Sequence, residues 1–253
     1  MITATLKIYR DAATQAGRAF GRGAYALLVL VACFPVLVVA GGVAGQLGFF
    51  GGFLYTLVEA ACAGTYLAML QDALTTRKSL DFAVVRGNLG RHTWDVIGVL
   101  FPLWLVDLGL SLAKAPWVVN VVVALAIFLF FNPAPEMIGR ARAQGIELLA
   151  GAYRFMMANG PEWIVPQAAV FGLAALAAPA HAIDILLMVG PRFGFVEAGR
   201  VAMSAVGSGP VGWAVGLAAV ALVHGLMLFR GALYEKLGDG GRRQRAWRER
   251  LGE

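Results

Sequence analysis

Charge is scarce in this chain. Only 14% of its 253 residues are Asp, Glu, Lys or Arg, while 59% are apolar; a soluble domain carries about 25% charged residues. That little polar surface cannot face water around so large an apolar content. A water-soluble globular fold is excluded, and a bilayer as solvent removes the conflict. Cysteine is scarce too. Cys33 and Cys62 both lie inside apolar runs, where they read as small packing residues rather than a disulfide or a metal pair. Enzyme signatures are missing: there is no Gly-x-x-x-x-Gly-Lys-Ser/Thr loop, no His-Glu-x-x-His, and no Asp-rich loop for a metal-bound phosphate. Ser208 followed by His224 does not make an intramembrane serine protease, because the pattern is Gly207-Ser208-Gly209 and it precedes its helix. The chain therefore reads as non-enzymatic, with no catalytic residue, cofactor or metal ligand.

What charge there is follows a pattern. Eighteen of the 21 Lys and Arg fall into four clusters: Lys7 to Arg22, Arg77 to Arg91, Arg140 to Arg154, and Arg230 to Arg250. Basic residues are retained on the cytoplasmic side of a membrane. A basic segment after every second apolar helix predicts six crossings with both termini in the cytoplasm, in the cell inner membrane. The net charge of +6 does not point to nucleic acid, because the Arg residues border hydrophobic spans and suit anionic lipid headgroups instead. Arg77, Arg86, Arg91, Arg140, Arg142, Arg242, Arg243 and Arg245 are the candidate contacts to lipid or to a partner.

The predicted fold is all-α and polytopic, a single transmembrane domain over 1–230 with a basic cytoplasmic tail over 231–253. Residues 2–20 space Ile2, Leu6, Tyr9, Ala13, Ala16 and Phe20 at steps of four and three, an amphipathic helix whose basic face suits the membrane surface. The spans are expected at about 23–43, 49–70, 94–113, 117–131, 163–178 and 211–229. The first is a retained span rather than a cleaved leader. The link Lys114-Ala115-Pro116 is short and predicts a tight antiparallel hairpin. Asn132-Pro133-Ala134-Pro135 stops the fourth span, and 136–158 reads as a second interfacial helix. The stretch 179–209 reads as an outer-face segment, re-entrant or surface-lying, with a seventh crossing as the rival; the basic tail argues against the seventh crossing. A weak internal repeat puts a polar break before an aromatic: Asn88-Leu89-Gly90 before Trp94, Asn159-Gly160-Pro161 before Trp163, and Ser208-Gly209-Pro210 before Trp213, with Trp at headgroup level.

Few polar groups lie within the predicted spans. Glu59, Asp107 and His224 are the candidates, since an ionisable group in a bilayer is expensive. Each also has a plain reading. Glu59 can be a protonated packing residue, Asp107 lies two helical turns from Lys114 and can reach the interface, and a proton relay needs more such groups than these. Gly41-xxx-Gly45, Gly48-xxx-Gly52 and Gly212-xxx-Gly216 permit close helix approach.

The order of an N-terminal interfacial helix, six spans, cytosolic helices after spans two and four, and an outer segment before the last span resembles ABC-2-type transporter permeases. Locally, Gly190-Pro191-Arg192-Phe193-Gly194-Phe195-Val196-Glu197-Ala198-Gly199-Arg200 is similar to that family's Asn-Pro and Glu-Ala-x-Arg-like stretch, with Gly-Pro in place of Asn-Pro. The layout also resembles uncharacterised multi-pass bacterial membrane families. The permease resemblance implies a homodimer, or a pair with other membrane subunits. It also implies a separate ATPase subunit acting on 72–92 and 136–160, and an amphipathic or lipid-linked substrate. The alternative is a non-catalytic accessory or scaffold subunit of a larger membrane complex.

Overall fold

The structure, a computed structural model, describes residues 2–76, 81–140, 144–177 and 209–238. Within them the chain is all-helical, with no strand. The helices are α1 (Ile2–Arg22), α2 (Ala24–Gln46), α3 (Phe49–Thr75), α4 (Phe82–Asn88), α5 (Thr93–Leu112), α6 (Trp117–Phe131), α7 (Ala134–Met137), α8 (Gly145–Ala177) and α9 (Pro210–Gly238). Five segments are long and apolar enough to cross a membrane: Ala24–Gln46, Phe50–Thr75, Thr93–Leu112, Trp117–Met137 and Gly216–Gly238. Their outward faces expose large apolar side chains, among them Val38, Val39, Phe50, Phe53, Phe101 and Val122. In water such a surface would aggregate, whereas against lipid tails it costs nothing.

α2 and α3 form an antiparallel hairpin, closed by Leu47 and by Gly48 at φ 55°. The pair is tight because Gly51 lies against Ala44: a Cβ at Gly51 would sit 1.8 Å from the Ala44 carbonyl oxygen. α3 then meets the start of α5 at Gly64, where a Cβ would come within 2.7 Å of the His92 backbone. Among the described residues, Gly51 and Gly64 are the glycines whose Cβ would meet backbone closer than 3.0 Å, and neither belongs to the Gly-xxx-Gly pairs seen in the sequence.

The link after α5 is a Schellman turn. Ala115 N–H bonds the Leu110 carbonyl and Lys114 N–H bonds the Ser111 carbonyl, each at 3.0 Å. Lys114 takes the left-handed position at φ 48°, which usually goes to glycine and costs another residue about 1–2 kcal/mol. The two helices it joins do not pair closely, as the short link had suggested. α8 packs against both α5 and α6, which make little backbone contact with each other.

Two predicted elements differ from the fold. α8 runs unbroken for 33 residues, about 50 Å at ~1.5 Å per residue, and passes straight through Asn159-Gly160-Pro161. The predicted interfacial helix 136–158 and predicted span 163–178 are thus joined in one helix, preceded by the short α7 and a turn. That helix is not among the five with span-like length and composition. Neighbouring helices tolerate the internal prolines, Pro161 and Pro166. In α1 the buried stripe is Ala12, Ala16 and Ala19, while Leu6 and Ala13 are exposed. α1 lies along α9 and also touches α3. Small side chains let the helix axes approach, so closeness decides the buried stripe rather than side-chain size. The outer segment 179–209 lies outside the described residues apart from Gly209.

Substituting Gly64 by Ala should lower stability by about 1–3 kcal/mol, because backbone blocks the new methyl. Gly52→Ala, with nothing near its Cβ, should be neutral or stabilising. Thermal unfolding in mild detergent, followed by circular dichroism, checks this; equal effects of the two substitutions would contradict the packing described.

Candidate functional site

The polar chemistry of the described residues gathers at one end of the bundle, where α3, α6 and α9 end and α5 begins. Its centre is an ion pair. Arg230 of α9 is fully buried and Glu136 of α7 nearly so. Arg230 Nε donates to Glu136 Oε1 at 2.7 Å and its Nη2 donates to Oε2 at 2.9 Å, a two-pronged, charge-assisted contact. Nη2 also donates to the Asn132 carbonyl at 2.7 Å.

The sequence explains why that carbonyl is available. Pro133 and Pro135 lack N–H groups and break the helix, and the Glu136 N–H turns to the Pro133 carbonyl at 3.1 Å. The guanidinium also lies 5.4 Å from the centroid of the Trp163 ring, a cation–π contact worth up to ~2 kcal/mol when desolvated. Trp163 is itself fixed by its Nε1–H donating to Asn132 Oδ1 at 2.9 Å and by an edge-on contact with Phe155.

A second layer carries this node toward α1. Arg140 Nη2 pairs with Glu235 at 3.1 Å, and Nη1 donates to the Gly231 carbonyl at 3.1 Å. Gln15 donates to the other Glu235 oxygen at 2.8 Å. Tyr9 donates from its hydroxyl to the Glu162 carbonyl at 2.8 Å. Burial, and then the Glu162 charge, raise the Tyr9 phenol above its ordinary range, so it stays a donor at neutral pH.

A third set of contacts pins the connection between α3 and α5. Asn88 donates to Asp72 at 2.7 Å and accepts from Arg91 at 3.2 Å. The Gly90 N–H donates to Thr65 at 2.8 Å. Asp81 caps α4 by accepting from the Val84 N–H at 3.0 Å. His92 bonds Asp95 at 3.1 Å.

The sequence-predicted residues fall unevenly on this arrangement. His224 is fully buried, and its partner is Tyr66, whose hydroxyl lies 3.0 Å from Nδ1. Phe20 packs on the same ring. Nε2 of His224 has no hydrogen-bond partner among the described residues. Glu59, seven residues earlier on α3, and Asp107 on α5 are half-buried and engaged in contacts of their own, away from the Arg230 node. Cys33 and Cys62 are free thiols.

Arg86 and Arg91 are exposed on and after α4, and Arg140 is half-buried in the second layer. Arg77, Arg142, Arg242, Arg243 and Arg245 lie outside the described residues. Arg230, counted by sequence in the fourth basic cluster at the last span's edge, is instead buried, and the helix continues past it to Gly238. Trp163, expected at headgroup level, is 0% exposed, because its indole stacks on a buried cation. Of the three expected breaks, Gly90 and Gly209 take positive φ and the middle one is helical.

Sequence reasoning missed Glu136, Asn132 and Tyr66. The one available signal was that Glu136 and Arg230 carry opposite charges, Arg230 directly after an apolar run and Glu136 just past the Asn132-Pro133-Ala134-Pro135 stop of another. Paired, they need no exit to water. The chain matches no protein-family model, no curated protein and no solved structure.

Removing either partner strands a buried charge. Glu136→Leu or Arg230→Met should each cost about 3–5 kcal/mol, and the double substitution should recover most of the loss. Thermal unfolding of the detergent-solubilised protein measures all three. Single losses under ~1 kcal/mol, the worth of an exposed pair, would contradict the node's role.

Proposed function

We propose that this chain is a permease-like, multi-pass inner-membrane subunit of a transport complex that moves an amphipathic or lipid-linked substrate, with energy from a separate ATPase subunit. The observation that carries the reading is α4. It lies on the connection between two membrane-suited helices, tied to α3 by the Asn88–Asp72 and Gly90–Thr65 bonds and to α5 by the Thr93 hydroxyl donating to the Gly90 carbonyl at 2.8 Å. Phe82 and Leu89, at its two ends, are exposed at 73% and 66%, and Arg86 is exposed beside them. A push on so short and firmly tethered a helix would pass to α3 and α5 rather than be absorbed locally. No nucleotide-binding motif is present, so a motor must be another chain.

Six crossings with both ends in the cytoplasm fit the geometry. Arg230 joins the end of α9 to the turn that follows α6, so both helices end at one face. α9 begins at Pro210, 20 residues and about 30 Å away. A single crossing between them would satisfy this, and the C-terminal part of α8 is the segment we assign to it. The basic face at this end is then the cytoplasmic one.

A second reading, a non-transporting accessory or scaffold subunit, is favoured by one observation. The buried charges of the described residues gather at one end, and apart from Arg230 of that end Glu59 and Asp107 are the only charged side chains well inside the five membrane-suited segments among the described residues.

Affinity purification in mild detergent should recover an ATPase subunit, and Phe82→Asp should abolish that recovery. Repeated purification without any ATPase would leave the accessory reading. Glu59→Gln should impair transport if the carboxylate takes part, while unchanged transport would return it to packing. For topology, Lys114→Cys should react with an impermeant maleimide from outside and Gly240→Cys only after permeabilisation; labelling of both from one side would rule out six crossings.

A further inference from the structure

The second half of α1, the end of α3 and the last turns of α9 enclose an open groove of about 450 Å³, within the roughly 300–1,000 Å³ of small-molecule sites. Arg18 and Arg22 from α1 and Lys236 from α9 line it, with Asp11 its one acid. Three positive charges against one negative leave a net +2. Among the described residues, no carboxylate is ion-paired with any of the three cations. The nearby acid, Glu235, is engaged by Arg140 and Gln15.

Arg18 and Arg22 are one helical turn apart, where like charges repel. Among the described residues Arg22 uses only its Nε, donating to the Arg18 carbonyl at 3.2 Å, which leaves both of its Nη groups to donate to a ligand. The hydroxyls of Thr14 and Thr75 donate to carbonyls of their own helices at 2.9 and 2.8 Å, so recognition in the groove falls to the cations. Two guanidinium forks and an ammonium around one cavity match the oxygens of a phosphate. The groove also opens where α3 and α9 reach their C-terminal ends, at Thr75 and Gly238, the level of headgroups for helices that cross a bilayer.

We propose that this groove binds a phosphate group carrying net negative charge, presented by an anionic phospholipid headgroup or as free phosphate. The proposal does not rest on the transport reading. The competing account is that each cation offsets the negative dipole end of its own helix. That account needs no shared cavity and predicts a stability effect without binding.

The test uses the full chain in mild detergent. Thermal stabilisation is titrated with dioctanoyl phosphatidylglycerol, dioctanoyl phosphatidylcholine and inorganic phosphate, since a ligand of the folded state raises its melting temperature. Phosphatidylglycerol should stabilise and phosphatidylcholine should not. Arg18→Gln/Arg22→Gln should weaken apparent affinity tenfold or more, and Lys236→Gln, on a different helix, roughly tenfold, the order expected for losing a hydrogen bond to a charged group. Arg86→Gln, an exposed cation outside the groove, should leave it unchanged. Stabilisation by inorganic phosphate that competes with the lipid identifies a soluble source; none identifies the lipid headgroup. The proposal fails if neither anion stabilises, if Arg86→Gln loses as much affinity, or if the groove variants lower the melting temperature while affinity stays constant.

Discussion

The buried pair between Arg230 and Glu136 is the constraint on which the basal end of this bundle depends. Two charges withdrawn from water are tolerated only when each finds a full set of partners. Meeting that requirement recruits four elements. α7 provides the carboxylate, the proline turn after α6 frees a backbone carbonyl, α8 offers the face of Trp163, and α9 brings the arginine. The register of α9 against the end of α6 is thereby fixed. Arg140, Glu235 and Gln15 extend the same network to α1.

Alongside that network, the molecule is held together by a second means. The membrane-suited helices approach through small residues, with Gly51 over Ala44 and Gly64 over the His92 backbone, because apolar side chains gain nothing by leaving lipid for one another. α1 uses the same device along α9 with Ala12, Ala16 and Ala19. Polar contacts gathered at one end give the chain a tethered face, and close backbone approach runs from there into an apolar body. The tethered face carries α4 and the basic groove, the two features with recognisable chemistry that remain open to a partner or a ligand.

Much of the architecture was legible in the sequence, because apolar runs of fixed length report crossings directly. All five membrane-suited segments coincide with predicted spans to within a few residues at most ends, and the Lys114 link and the Pro133 stop are where composition puts them. The site was far less legible. Periodicity selected Leu6 and Ala13 for burial in α1, and close packing against α9 reversed that choice. Asn159-Gly160-Pro161 reads as a break in isolation, yet tertiary neighbours hold it helical.

Charge by itself placed Arg230 with the fourth basic cluster, since an arginine after an apolar run normally reaches for headgroups. The sequence alone determined that this is a helical membrane protein with its cations gathered in four places, because composition and run length decide the choice of solvent. Only the tertiary structure decided which cations face lipid or water and which are consumed in the core. That choice depends on whether a carboxylate 94 residues away arrives within hydrogen-bond distance, and no local pattern records such a distance.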